Sequence, residues 1–467
     1  MNILRAGAGN AAKIIHRKKL RRDGQYRLSL YAYPFFEGGR YLLLHTLTGE
    51  VLELTAAEWA DILPLRDASR GHEFIARKGL TELAEKRYLV ETDHDEAHAY
   101  AQVLFVLRTV RERKKGLSVY TILPTTGCNA RCVYCYEEGV PVQTMTEATV
   151  DRLIDFVCET KDEGSVKLRW FGGEPLAAVS VIRRVCAALE ERGVAFSSDM
   201  ITNASLLTRE LAHEAKERWH LKTVQVSLDG AREDYALRKR YVQPERHNYD
   251  GVMRAIRFLA DEGVRVNLRV NVDLENLPRI EGFLDEMGAA FGDRKNVTLY
   301  LAALFQEQGS DNYAPLQEAI FALRDKIRAM GLERPSTAWK KGQMTLNHCM
   351  ADNVDASIVI MPDGRFFHCE HLPAGQSWGN IFDGVTDPVR FEALRRPHEI
   401  DPECARCPFL PQCTPFKRRG CPDSPASVDE CRLSKRLETE DMLRQLLRGA
   451  VTESEADDDG DDDDGTL

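Results

Sequence analysis

At 467 residues, 43% of them hydrophobic, the chain is too long for one ordinary domain and has enough apolar material for a normal core. Its formal net charge of -10 is concentrated in 453–467, where nine acids and no base stand together; the rest is nearly neutral, which argues against a nucleic-acid partner. No apolar run reaches the ~18–20 residues of a membrane span and no signal peptide is present, so a cytoplasmic protein with no membrane partner is expected.

Residues 1–24 are basic, hold no acid before Asp23, and are expected to form a disordered arm. A small module follows over 25–100. Strands are predicted at 26–31, 41–44 and 51–54, with a Thr-Leu-Thr-Gly-Glu turn at 46–50 closing a hairpin. Thr55 then caps a helix over 56–63; a second helix over 72–86 leads into a strand at 87–91. This order suggests a winged-helix-like fold, and its acid-rich helices argue against duplex DNA. It resembles modules with which peptide-modifying enzymes capture the leader of a ribosomally made precursor peptide by adding its strand to a sheet edge. A packing or dimerisation role remains the alternative.

From 113 to 335 the chain becomes rhythmic. Strand-like runs recur at 118–123, 166–171, 199–202, 223–228, 266–272 and 297–301, between helical stretches such as 147–159, 179–191, 209–219 and 249–261. Six such units predict an α/β fold, a partial (β/α)6 TIM-like barrel, with its chemistry where strand C-termini meet the next loops. Twelve cysteines without a secretion signal point to metal or redox chemistry rather than disulfides. Cys158 and Cys186 lie on apolar helical faces and read as core packing.

The first strand runs through Pro-Thr-Thr-Gly into Cys128-Asn-Ala-Arg-Cys132-Val-Tyr134-Cys135. Three thiolates in one turn can ligate three irons of a cubane and leave the fourth open to a chelator. Zinc normally closes four ligands, and no fourth thiolate is near. The second strand ends in Gly172-Gly173-Glu174-Pro175, where glycines permit close approach of a ligand and a carboxylate can accept from an ammonium. The third ends in Thr202-Asn203-Ala204 and the fourth in Ser227-Leu228-Asp229-Gly230; on the fifth, Arg269 and Asn271 alternate onto one face. Seven more cysteines crowd into 340–440: Cys349, Cys369, Cys404, Cys407, Cys413, Cys421 and Cys431. The acids of 450–467 repel one another and are expected to be disordered.

Over about 117–305 these motifs resemble the radical S-adenosylmethionine (SAM) superfamily, and the later cysteines resemble the SPASM domain of members that modify peptides and proteins. The resemblance implies a 4Fe-4S cluster on Cys128, Cys132 and Cys135 with SAM on its open iron. It places SAM contacts at Tyr134, Gly172, Gly173, Glu174, Pro175, Asn203, Ser227, Asp229, Arg269 and Asn271, with Ala204 departing from the family's glycine. It further implies two auxiliary 4Fe-4S clusters, an outer one on Cys404, Cys407, Cys413 and Cys431 and an inner one on Cys349, Cys369 and Cys421. The gap from Cys413 to Cys421 is longer than in the family, and the stretch after Cys349 lacks the extra cysteine that some members use, so the alternatives for the fourth iron of the inner cluster are an open site, a non-cysteine ligand or the substrate itself.

Glu370, next to Cys369, stands where sulfatase-maturing relatives carry an Asp proposed to take a substrate proton. It is a candidate general base, the alternative being a hydrogen bond or ion pair to His368 or His371. The implied activity is one-electron reduction by an external donor of the flavodoxin or ferredoxin type, cleavage of SAM to a 5′-deoxyadenosyl radical, and hydrogen abstraction from a precursor peptide to form a thioether or carbon–carbon crosslink. Sulfatase maturation, oxidising Cys or Ser to formylglycine, is one alternative. An iron-sulfur electron-transfer or scaffold protein that never cleaves SAM is the other.

Overall fold

The structure, a computed structural model, describes residues 1–7, 11–13, 15, 18–111, 116–333, 356–367, 369, 376–395, 402–412 and 427–449. Cys349, Glu370, Cys413, Cys421 and the 450–467 tail lie outside the described residues.

The N-terminal module is built on two small sheets. Strands β1 (Asn2–Arg5), β3 (Ala32–Glu37), β4 (Arg40–His45) and β5 (Val51–Leu54) form one, in the order β1-β5-β4-β3. Strands β2 (Gln25–Leu28), β6 (Arg70–Gly71) and β7 (Leu89–Glu91) form the other, with β2 central. The expected disordered arm is corrected at its start: Asn2–Arg5 pairs antiparallel with β5, and Ala11 is fully buried among aromatic and aliphatic side chains. Helix α1 (Ala56–Ile62) begins at Thr55 with a reciprocal capping box to Glu58, as Thr-x-x-Glu implies. The single helix expected over 72–86 is two, α2 (His72–Arg77) and α3 (Thr81–Glu85), because Gly79 takes a positive φ of 72° between them. Strand β3 was not anticipated, since Pro34 weakens a strand pattern; the proline is tolerated because β3 lies at the edge of its sheet.

Helix α4 (Glu96–Arg111) crosses to the second unit. There β8 (Val119–Ile122), β9 (Val166–Trp170), β10 (Phe196–Thr202), β11 (Leu221–Leu228), β12 (Arg265–Val272) and β13 (Val297–Ala303) run parallel in chain order. Connections are made by α5 (Glu147–Thr160), α6 (Val179–Glu191), α7 (Arg209–Arg218), α8 (Arg232–Lys239), α9 (Tyr249–Asp261) and α10 (Leu277–Phe291). Trp170, Trp219, Phe283 and Phe291 anchor one continuous core between strands and helices. Cys186 is buried there, and Cys158 packs against it from the helix face.

The sheet continues past the six expected strands. β14 (Ser357–Ile360) pairs parallel with β8, and β15 (Arg365–Phe367), β16 (Gly379–Asn380) and β17 (Gly384–Val385) add on antiparallel. Among the described residues this makes one mixed sheet of ten strands. After β13, α11 (Tyr313–Ala322) and α12 (Arg324–Ala329) lead to the cysteine-rich segment, and a long helix, Val428–Leu447, closes the described chain.

Candidate functional site

The cysteine loop lies directly after β8, at the ends of the parallel strands, and is held by backbone bonds from several sides. Thr125 Oγ1 accepts from Gly127 N at 2.9 Å, and Thr126 N donates to Gln143 O at 2.9 Å. Farther on, Arg131 N donates to the carbonyls of Lys239 and Arg240, and Val133 N to that of Arg238. Cys128, Cys132 and Cys135 are all half-buried. Burial raises the pKa of each thiol, that of Cys128 to about 11, so all three are protonated at neutral pH until a metal displaces the protons.

The Gly172-Gly173 turn after β9 meets this loop from below. Gly172 has a φ of 110°, and a Cβ on Gly173 would lie 2.5 Å from Gly127 O and 2.6 Å from Thr126 O. Glycine is therefore required here for backbone passing backbone, not only for approach to a ligand. Gly173 N and Glu174 N donate to Thr125 O and Gly127 O, fixing the two turns together.

Glu174, expected as an acceptor from an ammonium, is engaged within the protein. It has no exposed surface, and its oxygens receive Thr202 Oγ1 at 2.6 Å, Asn203 N at 2.8 Å and Leu176 N at 3.1 Å. Burial pushes its pKa up against the pull of these donors. The carboxylate thus ties the end of β9 to the end of β10, while Pro175, also buried, starts the short helical turn Pro175–Ala178.

That tie positions Asn203. Its Nδ2 reaches Asn129 Oδ1 at 2.9 Å and Cys128 Sγ at 4.0 Å. Ala204 takes a positive φ of 59° where the resembling pattern has glycine, and it is fully buried.

Tyr134, Asp229 and Asn271, expected from three separate stretches, come together. Tyr134 Oη donates to Asp229 at 2.6 Å, and Asn271 Nδ2 reaches both Tyr134 Oη (3.1 Å) and Asp229 Oδ1 (3.0 Å). Sequence reasoning missed the fourth member, Lys239, whose Nζ lies 3.0 Å from Tyr134 Oη and 3.5 Å from Asp229 Oδ2. Burial works to remove its proton, but Asp229 and Tyr134 outweigh burial and hold the ammonium well above its ordinary pKa. Arg269 Nε bonds Asn271 Oδ1 at 3.1 Å, and Ser227 stands opposite Arg269 in the β11–β12 register.

Three thiols on one loop fit three corners of an iron-sulfur cube and leave one corner open. Among the described residues no three His, Cys, Asp or Glu side chains are gathered tightly enough for a single ion. Cys128, Cys132 and Cys135 share one loop with a polar floor beside it.

Of the later cysteines, Cys404 and Cys407 sit in one short turn closed by Cys407 N to Cys404 O. Both pack with Tyr31, Leu47 and Tyr100 of the N-terminal module and its crossing helix. Arg432, next to Cys431, donates to Glu403 O at 3.1 Å, which brings the start of the long helix to the same turn. Cys369 follows β15.

Residues 122–287 match the family model described as the radical SAM superfamily, so the chain carries a radical SAM domain, and that family implies SAM and a 4Fe-4S cluster. Among curated proteins, the Fe-coproporphyrin III synthase of Methanosarcina barkeri is 27% identical over 172 residues, 37% of this chain and 41% of that protein. A serine-type anaerobic sulfatase-maturating enzyme of Klebsiella aerogenes is 26% identical over 323 residues, 63% of this chain and 77% of that one. In fold the chain is similar to native anSMEcpe with bound AdoMet, at a TM-score of 0.54 and 17% identity over 71% of this chain and 99% of that one. It is also similar to Streptococcus suis SuiB bound to precursor peptide SuiA, at a TM-score of 0.50 and 13% identity over 87% and 100%. No helix among the described residues is long and apolar enough to cross a membrane.

Proposed function

We propose that this radical SAM domain belongs to a peptide maturase, which abstracts hydrogen from a ribosomally made precursor peptide and installs a thioether or carbon–carbon crosslink. A bound 4Fe-4S cluster and SAM would supply the radical chemistry. Cys128, Cys132 and Cys135 would hold the cluster, and Asn203 would present an amide beside the Cys128 sulfur. The chain's own work is orientation: Tyr134, Asp229, Lys239 and Asn271 clamp the cysteine loop onto the strand ends, and Glu174 keeps the Gly-Gly turn and Asn203 in register. Ser227 and Arg269, on the adjoining strands, would add polar contacts to a bound sulfonium, beside the Gly172-Gly173-Glu174-Pro175 turn. In the cysteine-rich segment, Cys404, Cys407, Cys413 and Cys431 would hold the outer auxiliary cluster and Cys349, Cys369 and Cys421 the inner one. Glu370 would take the substrate proton.

The observation that carries the peptide reading is the N-terminal module seated on the Cys404–Cys407 turn, with Thr46 bonded to Pro408 O and Gln412 reaching back to Thr46 O. A peptide edge-bound to that module would start beside the cysteine-rich segment. The second reading, sulfatase maturation, is favoured by the match to 77% of the Klebsiella enzyme.

The test is anaerobic reconstitution followed by dithionite and SAM. 5′-Deoxyadenosine is the expected product, and its absence from iron-loaded protein overturns the radical reading. With a candidate peptide, a crosslinked product lacks any aldehyde, whereas formylglycine couples to a hydrazide probe and would establish the second reading.

A further inference from the structure

One strip of surface beside the cysteine loop is not used by the site. Residues 129–133 run antiparallel to 238–242. Ala130 bridges Tyr241, Arg131 N donates to Lys239 O (3.1 Å) and Arg240 O (3.0 Å), Val133 N to Arg238 O (3.0 Å), and Val242 N to Asn129 O (2.9 Å). Along such paired segments alternate side chains turn in and out. Ala130, Lys239 and Tyr241 go inward, while Arg131, Val133, Arg240 and Val242 face solvent. Leu237, from the last turn of α8, joins them. Leu237 is 68% exposed, Val242 57% and Val133 45%.

Scattered exposed apolar residues need no explanation, but three on one backbone-linked strip form a patch. Its rim is basic. Arg131, Arg240 and Arg246 pair with no carboxylate among the described residues, whereas nearby Arg238 is already bonded to Asp273 at 2.7 Å. The acids on this ground are Glu245 and Glu275, and Glu275 lies 3.9 Å from Arg238. Glu137 and Glu138 follow Cys135, at the other end of the loop. Cys132 stands within the strip, between Arg131 and Val133, so the strip is part of the same loop that would hold a cluster. Electron tunnelling falls steeply with distance, and a carrier gains most by docking where the cofactor lies nearest the surface.

We propose that this strip, 129–133 together with 237–246, is the docking face for an acidic one-electron carrier protein of the flavodoxin or ferredoxin kind. The inference rests on the radical SAM reading above. The carrier loses one electron and the cluster gains one; no atom is transferred. Weak electron-transfer complexes bury little area and are assembled by complementary charge around a small apolar centre, which is what an apolar strip with unpaired arginines provides. The basic rim on a nearly neutral body favours an acidic partner over a second copy of this chain.

The experiment uses cluster-loaded protein carrying Leu237→Glu with Arg240→Glu. Both side chains are exposed and outside the proposed machinery; Arg131 is left intact because it also bonds Cys128 O at 2.8 Å. Calorimetry with oxidised flavodoxin is expected to show binding weakened about tenfold or more, with the wild-type affinity falling as salt rises. Photoreduced flavodoxin should reduce the variant's cluster correspondingly slowly by EPR, while dithionite, which needs no docking face, reduces variant and wild type alike. Unchanged flavodoxin affinity in the variant at low salt overturns the proposal. So does binding of a synthetic 453–467 peptide to the strip when flavodoxin does not bind, which would make the chain's own acidic tail the occupant. Dithionite-reduced wild type that leaves SAM intact would count against the preceding reading alone, since calorimetry still decides the face.

Discussion

Glu174 shows how a single buried carboxylate ties strand ends together at a site. Three donors converge on it, from Thr202, Asn203 and Leu176. In Glu174→Gln one oxygen becomes an NH2 that must point at another donor, leaving a buried group unsatisfied. A loss of about 1–3 kcal/mol in urea unfolding is expected, together with loosening of the Asn203 turn. His45 offers a test in pH. It is wholly buried at the end of β4, edge-on to Tyr88, and burial lowers its pKa from 6.5 to about 4. Because the folded state resists protonation, its stabilising contribution is complete above pH 6.5. That contribution is lost as pH falls towards 4, amounting to about 3 kcal/mol. Melting curves across that window should flatten in His45→Asn, which cannot titrate. At this scale Tyr134, Asp229 and Asn271 were legible as odd polar residues at strand ends, though not their mutual contact. Lys239 was not legible, because Leu-Arg-Lys-Arg reads as a solvated helix end. The available signal was its spacing of four from Tyr235, which puts both on one helical face, and Tyr235 is fully buried.

Among elements, the turn joining β9 to Pro175–Ala178 is the one the cysteine loop depends on. Gly173→Ala would drive a methyl into the carbonyls of Gly127 and Thr126, both backbone atoms that cannot swing aside. The expected outcome is a loop displaced from the strand ends, with iron retained after reconstitution falling well below wild type. Gly164→Ala is the control, since its Cβ meets nothing within 4 Å; it should retain wild-type iron content and stability within about 0.5 kcal/mol. Equal iron in both variants would show that the close approach is not limiting. The six parallel strands were legible because each is an apolar run bounded by polar turns, although β10, β11 and β12 begin earlier than expected, at Phe196, Leu221 and Arg265. What was hidden was pairing across distance. Ser357–Ile360 joins β8 from more than two hundred residues away, and nothing in its own four residues names that partner.

The whole molecule is held together by the helix Val428–Leu447, which no single apolar stripe announced because it serves two partners. Towards the N-terminal module, Leu443 is fully buried with Phe35, Leu42, Leu44 and Val51, Arg444 bonds Glu37 at 2.8 Å, and Tyr33 Oη meets Glu440 at 2.8 Å. Towards the second unit, Asp441 receives Arg328 at 2.7 Å and Arg324 at 3.1 Å, and Ser434 meets Tyr313 at 3.0 Å. One helix therefore fixes how the module sits over the Cys404–Cys407 turn, the placement on which the proposed capture and delivery of a peptide would depend. Leu443→Ala removes the apolar centre of that contact while leaving the ion pairs of Asp441 in place, at a cost of about 2–5 kcal/mol. Because the cost falls on one interface, limited proteolysis should release the N-terminal module sooner, and cleavage of SAM under dithionite should persist while turnover of a leader-bearing peptide drops. Loss of both activities in parallel would mean that the helix supports the second unit itself rather than the seating of the module.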